Sequence, residues 1–267
     1  MIMRQIPDEY SKEDLVWIYD FEYTEAHDLQ LYVECARRFG APILELGCGT
    51  GRLSIPLAAE GFEVWGIEAS TLMIEECRKK MKSHPGATLQ IKIIEGDMAD
   101  FDLGRAFPLI IVPINSFLIL DQAGQQSCLE CCYKHLAPDG ALVIDVFNPF
   151  GPGRAFQYSG QVEGLRILVS TRPHPKTGRP VRRFVSQRRD FFNQMAHIKS
   201  EYEEETPDGP RMWTFTENLR FVYKSEMELM IEAAGMELYR IFGFYDGHEF
   251  SPSSEQMIFI SRRKGAK

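Results

Sequence analysis

Apolar positions along the chain follow two rhythms. From Pro42 onward short apolar runs alternate with amphipathic stretches, which predicts strands over 42–46, 62–67, 89–94, 108–113 and 140–146, and helices over 52–60, 71–82 and 122–136. Such alternation predicts an α/β fold, a parallel sheet with helices on both faces. Gly61 suits the end of the first of these helices, and Pro138-Asp139-Gly140 a turn into the fifth strand. Upstream, a helical period runs from Glu13 to Phe39 and breaks near Thr24, predicting two helices that could form a lid.

After Pro149 the rhythm changes. Roughly 70 residues pass without an amphipathic helix, punctuated by turn signals at Gly160, Lys176-Thr177-Gly178 and Pro207-Asp208-Gly209-Pro210, which reads as an antiparallel meander. Its clearest strand sets Trp213, Phe215, Leu219, Phe221 and Tyr223 against Thr214, Thr216, Asn218, Arg220 and Val222. The α/β rhythm then returns with a helix over 226–234, opened by a capping box from Ser225 to Glu228 and closed by Gly235, and strands over 236–245 and 256–262. Residues 1–149 and 223–267 thus read as one domain and 150–222 as an inserted β subdomain.

Composition narrows the class. With 267 residues, 44% of them hydrophobic, the chain can bury one sizeable core. A net charge of −8 disfavours nucleic acid as a partner, because phosphate binding needs an extended basic surface. No apolar run reaches the roughly 18 residues of a membrane span, and the amino terminus mixes charges of both signs, so a cytoplasmic protein without a membrane partner is expected. The six cysteines read as reduced thiols; Cys128, Cys131 and Cys132 lie at helical spacing without paired His or Cys, which points to helix packing and to no metal.

The chemistry concentrates at the strand ends. Ile43-Leu44-Glu45-Leu46-Gly47-Cys48-Gly49-Thr50-Gly51-Arg52 is a strand running into a glycine-rich turn, whose backbone can pass close to a ligand. Arg52 stands where a dinucleotide-binding turn requires its last glycine. Glu68 ends the second strand of Val64-Trp65-Gly66-Ile67-Glu68-Ala69-Ser70, where a carboxylate can accept both hydroxyls of a ribose. Asp97 and Met98 follow the third strand in Ile94-Glu95-Gly96-Asp97-Met98, and Pro113 and Asn115 follow the fourth, where ligands gather in open α/β sheets. Asn115 either faces ligand or caps the next turn.

The E-x-G-x-G-x-G turn, the acidic end of the second strand and Gly96-Asp97-Met98 together resemble the class I S-adenosylmethionine-dependent methyltransferases. Ile18-Tyr19-Asp20, Leu136-Ala137-Pro138-Asp139-Gly140 and Asp145-Val146-Phe147-Asn148-Pro149 extend the likeness over about residues 15–150 and 219–262. The resemblance implies a Rossmann-like, doubly wound sheet of seven strands, mostly parallel with an antiparallel last strand, and an inserted antiparallel β meander over the acceptor pocket. It implies S-adenosyl-L-methionine as cofactor, held by Tyr19, Glu45, Gly47, Cys48, Gly49, Gly51, Arg52, Glu68, Ala69, Met73, Asp97, Met98, Pro113 and Asn115. Glu68 stands where this family more often has Asp.

Methyl transfer is an in-line displacement that asks mainly for positioning, so no base is obligatory. Tyr19, Arg220 and His248 are the catalytic candidates, and Tyr23, Phe117, Arg220 and Tyr245 the candidates for holding the acceptor. Each also has a plain structural use; Arg220 either clamps an acceptor carboxylate or pairs with an acid of the meander, and His248 is either a base or a surface residue. The expected acceptor is a small molecule methylated on N or O; an RNA or protein methyltransferase and a non-catalytic binding protein are the alternatives. The chain is expected as a monomer or homodimer. In the insert, basic residues from Arg166 to Arg189 precede acidic ones from Glu201 to Asp208, read either as complementary paired strands or as a docking surface for an anion.

Overall fold

The computed structural model describes residues 13–23, 26–84, 89–151 and 164–266. The expected break near Thr24 and the turn at Gly160 lie outside them. Two helices, α1 (Glu13–Glu22) and α2 (Leu29–Phe39), precede β1 (Ile43–Leu46). There follow α3 (Ser54–Ala59), β2 (Val64–Glu68), α4 (Thr71–Ser83), β3 (Ile91–Glu95), β4 (Phe107–Val112), α5 (Gln122–His135) and β5 (Leu136–Phe147). The second sheet contributes β6 (Ile167–Pro173), β7 (Pro180–Asp190), β8 (Met195–Thr206) and β9 (Gly209–Arg220), before α6 (Lys224–Ala233), β10 (Met236–Phe242) and β11 (Gln256–Arg263) close the chain.

β1 to β5 and β10 to β11 form one seven-stranded sheet in the order β10-β11-β5-β4-β1-β2-β3, parallel except for β11, which runs antiparallel to both its neighbours. Alternation along the strands explains the two layers. Ile43, Leu109, Ile111 and Val143 bury against Tyr32 of α2 and Leu57 of α3, while Leu44, Ile110, Val112 and Ile144 bury with Cys128 and Leu129 of α5 and Met227 and Ile231 of α6. All six cysteines are buried free thiols.

The insert is a four-stranded antiparallel meander, β6-β7-β8-β9. Its stripe of large side chains is buried at two places. Trp213 meets Trp17 of α1 at 5.1 Å between ring centroids, whereas Ala196, Leu219, Phe221 and Val222 join the main core beside α5. The insert is therefore fused to the domain instead of resting on it. Its charge pattern resolves as strand pairing: Arg182 lies opposite Glu203 in the β7–β8 ladder, Arg182 also pairs with Glu205 at 3.0 Å, and Arg166 pairs with Glu201 and Glu203. Arg172 and Arg183 reach instead to Glu22 of α1, at 2.9 and 2.5 Å.

Three local expectations need correction. Pro138-Asp139-Gly140 lies inside β5, where the ladder slips: Phe107 faces Leu136 and Leu109 faces Ala141, so the extra residues bulge out of the register. The last helix starts two residues early, because Glu226 accepts from the backbone N–H of Tyr223, which takes the cap position expected of Ser225. Helix α3 begins at Ser54, since the chain is still turning from Gly51 to Leu53.

Candidate functional site

The carboxyl ends of β1, β2, β3 and β4 converge on the glycine turn. Gly47, Gly49 and Gly51 all adopt positive φ, of 72°, 54° and 84°. A side chain would also collide at Gly51 and press on its neighbour at Gly47. A Cβ on Gly47 would stand 3.1 Å from the Ser116 hydroxyl, on Gly49 3.4 Å from that of Tyr19, and on Gly51 2.7 Å from the Cys77 sulfur. The fourth glycine of the site, Gly66 on β2, leaves room for Cys48, whose sulfur would lie 2.6 Å from a Cβ there.

Glu68 closes the turn from β2. Its two carboxylate oxygens accept from the backbone N–H of Gly49 and of Ser70, each at 2.9 Å. Burial raises its pKa, opposed by these backbone donors. Its own carbonyl accepts from Gly96, which fixes the start of the Asp97-Met98 segment beside it. Asp97 bends that segment by accepting from the N–H of Ala99 at 2.8 Å. Met98 is half-buried, Ala69 exposed, and Met73 buried in the first turn of α4.

Helix α1 covers the turn from above. The Tyr19 ring lies over Gly49 and meets the exposed Tyr23 ring at 4.9 Å, and burial pushes the Tyr19 phenol well above its ordinary pKa. Asp20 anchors the helix, accepting from Thr50 and from Lys80, both at 2.6 Å. Beneath the turn, Arg52 is held by both oxygens of Asp28 at 2.6 and 2.7 Å, and Glu45 is buried with Ser54 as its hydrogen-bond donor. Burial raises Glu45 to about 8.

Past β4, Ile114 and Asn115 both take positive φ, of 42° and 62°, unusual for a β-branched side chain. The Asn115 side chain accepts from Phe147 N–H at 2.7 Å, tying the ends of β4 and β5 together. Phe117 is fully buried in the main core, and Pro113 is buried at the strand end. Arg220 sits away from the glycine turn, its guanidinium donating to Gln125 and Glu226, each at 2.5 Å, so it bridges α5 and α6. His248 lies on an exposed loop with Asp246 at 2.8 Å. Tyr245 turns inward and donates to Asp145 at 2.8 Å.

Sequence reasoning singled out neither Ser116, Asp28 and Tyr32 nor Asp145. The last carried a signal: one carboxylate within the otherwise apolar run Ala141-Leu142-Val143-Ile144-Asp145-Val146-Phe147.

The glycine turn, the carboxylate at the end of β2 and the acidic segment after β3 converge at the carboxyl ends of the parallel strands, where open α/β sheets take their ligands. Comparison with known proteins agrees. A family described as a methyltransferase domain matches residues 43–140. The chain carries a methyltransferase domain on a Rossmann-like, class I fold and is an enzyme that uses S-adenosylmethionine. It is similar to a cypemycin N-terminal methyltransferase of a Streptomyces species, 26% identical over 84% of each chain. A dTDP-3-amino-3,6-dideoxy-alpha-D-glucopyranose N,N-dimethyltransferase of Streptomyces fradiae is 32% identical over 57% of this methyltransferase and 58% of its own length. The solved CcbJ methyltransferase of Streptomyces caelestis is 26% identical, covers 90% of this chain and 96% of its own, and superposes with a TM-score of 0.74. Among the described residues of this methyltransferase no helix is long and apolar enough to cross a membrane, and no His, Cys, Asp or Glu group could hold a metal ion.

Proposed function

We propose that the enzyme methylates an amine nitrogen of a small molecule. One observation carries the choice of nitrogen: Tyr19, which lies over the glycine turn in ring contact with Tyr23, is held as a neutral phenol by burial, so it can position a nucleophile but not deprotonate one. A neutral amine brings its own lone pair and needs no base. The named relatives support this, one acting on a peptide amino terminus and one on an amino sugar. The peptide relative also favours a second reading, in which the amine belongs to a short peptide.

Bound S-adenosylmethionine supplies a methyl carbon already activated by its sulfonium. Gly47, Gly49 and Gly51 would leave room for its methionine end, Glu68 would hold its ribose and Asp97 its adenine. Tyr19 and Tyr23 would line the approach of the amine to that methyl carbon, and the proton left on the methylated nitrogen would pass to water. We assign Arg220 a packing role and leave His248 outside the chemistry. The insert, anchored to α1 through Trp213 and Glu22, would shield the acceptor pocket together with that helix. Buried reduced cysteines suit a cytoplasmic enzyme, acting as a monomer or homodimer. A screen with methyl-labelled cofactor over amino sugars, peptides with free amino termini, phenols, carboxylates and RNA tests the acceptor. Label in amines supports the proposal; label confined to phenols, carboxylates or RNA refutes it.

A further inference from the structure

We propose that Asp145 is a positioning residue that makes cofactor binding depend on pH, by holding the strained Ile114–Asn115 turn at the end of β4. Two adjacent residues with positive φ, one of them β-branched, do not keep that shape unaided. Here β5 holds them. The Asp145 Oδ2 accepts from Ile114 N–H at 3.2 Å, the Asp145 carbonyl accepts from Asn115 N–H at 2.9 Å, and Asn115 accepts in turn from Phe147. Ser116, the next residue, packs against Gly47 of the cofactor turn. The state of the Asp145 carboxylate is thereby felt at the cofactor turn.

That carboxylate is built to change state. It is fully buried, and while Oδ2 takes two hydrogen bonds, from Ile114 and Tyr245, Oδ1 has no partner among the described residues. The groups facing it are Tyr32 of α2, Asp28 just before that helix, Arg52 from the glycine turn and Tyr245 from the loop after β10; the Tyr32 hydroxyl is likewise buried without a partner among the described residues. Burial lifts Asp145 to about 7, against the pull of Tyr245. When the carboxylate is ionised, its bond to Ile114 N–H is charge-assisted and the turn is held; a proton on Oδ1 neutralises the group and weakens that bond. Cofactor affinity should therefore rise with pH.

Asp145→Asn keeps an oxygen for Ile114 and Tyr245 and removes the titration. Calorimetric titration of the full chain with S-adenosylmethionine and with S-adenosylhomocysteine, between about pH 6 and about pH 8.5, is the test. In the native protein both ligands should gain about fivefold or more in affinity across that range, after correction by Asp145→Asn for titration of the ligand itself. Tyr245→Phe, which removes the donor that favours the ionised form, should move the rise to higher pH. Superimposable profiles for native protein and Asp145→Asn would overturn the proposal, and so would a dependence seen with the sulfonium ligand alone, which would make Asp145 a simple counter-charge. The inference rests on the cofactor assignment, and failure of that assignment would show separately, as no binding at any pH.

Discussion

Asp28 grips Arg52 through both carboxylate oxygens, at 2.6 and 2.7 Å, and so fastens the start of α2 to the residue that leaves the glycine turn. Both side chains are almost wholly buried, at 3% and 8% exposed. Breaking such a pair strands a charge inside, so Asp28→Ala should lower stability by about 3–5 kcal/mol in urea denaturation. The exposed Arg37–Glu60 pair offers the contrast. With side chains 62% and 48% exposed, it should contribute less than about 1 kcal/mol, so Arg37→Ala should leave the midpoint almost unmoved.

Glu68→Ala and Asp97→Ala should each weaken S-adenosylmethionine binding by roughly ten- to hundredfold while the protein stays folded, the cost of losing a hydrogen bond to a charged acceptor. Glu68 also holds the N–H groups of Gly49 and Ser70, so its variant should lose some thermal stability that the Asp97 variant keeps. Calorimetry with unchanged affinity in either variant removes that residue from the site.

Gly66→Ala tests how tightly the cofactor turn is packed from below. The new methyl would sit 2.6 Å from the Cys48 sulfur and 2.9 Å from its Cβ, so Cys48, itself part of the turn, must move. Overpacking of this kind typically costs about 1–3 kcal/mol. Cofactor affinity should fall as well, and Cys48→Gly in the same chain should restore much of both losses. No recovery in the double variant would locate the damage elsewhere.

Glu45 carries a pH signature. Burial raises it from the ordinary 4.5 to about 8, so between those values the folded chain holds a proton that the unfolded chain has released. Its contribution is complete at low pH and is lost as pH rises through that window, at no more than about 1.4 kcal/mol per pH unit. Between about pH 5.5 and pH 7.5 the native protein should lose about 2 kcal/mol more stability than Glu45→Gln. Equal losses in urea denaturation would show that Glu45 stays ionised.

The succession of strands and helices along the chain and the glycine turn were legible from sequence because both rest on local signals: apolar period, glycine spacing and carboxylates at strand ends. The doubly wound sheet, with β11 as its antiparallel strand, is the architecture that the motifs implied. What stayed hidden depends on contacts between distant segments. Arg220 lies on the polar side of its strand, yet it is spent on Gln125, 95 residues away. Asp145 reads as part of a buried strand until the turn at Ile114 is placed beside it. Ser225 has the residue type of a helix cap, but the chain enters α6 directly from β9, and Glu226 finds Tyr223 first. The aromatic stripe announced burial without naming its partner, because α1 and the main core each take part of it.

Calorimetric titration of the protein with S-adenosylmethionine, alongside NAD, decides which cofactor the glycine turn accepts. The glycine turn with Arg52 in place of a last glycine should bind S-adenosylmethionine and its demethylated product at one site per chain, and both should raise the melting temperature. NAD should do neither. Comparable binding of NAD, or no heat with S-adenosylmethionine, would contradict the account.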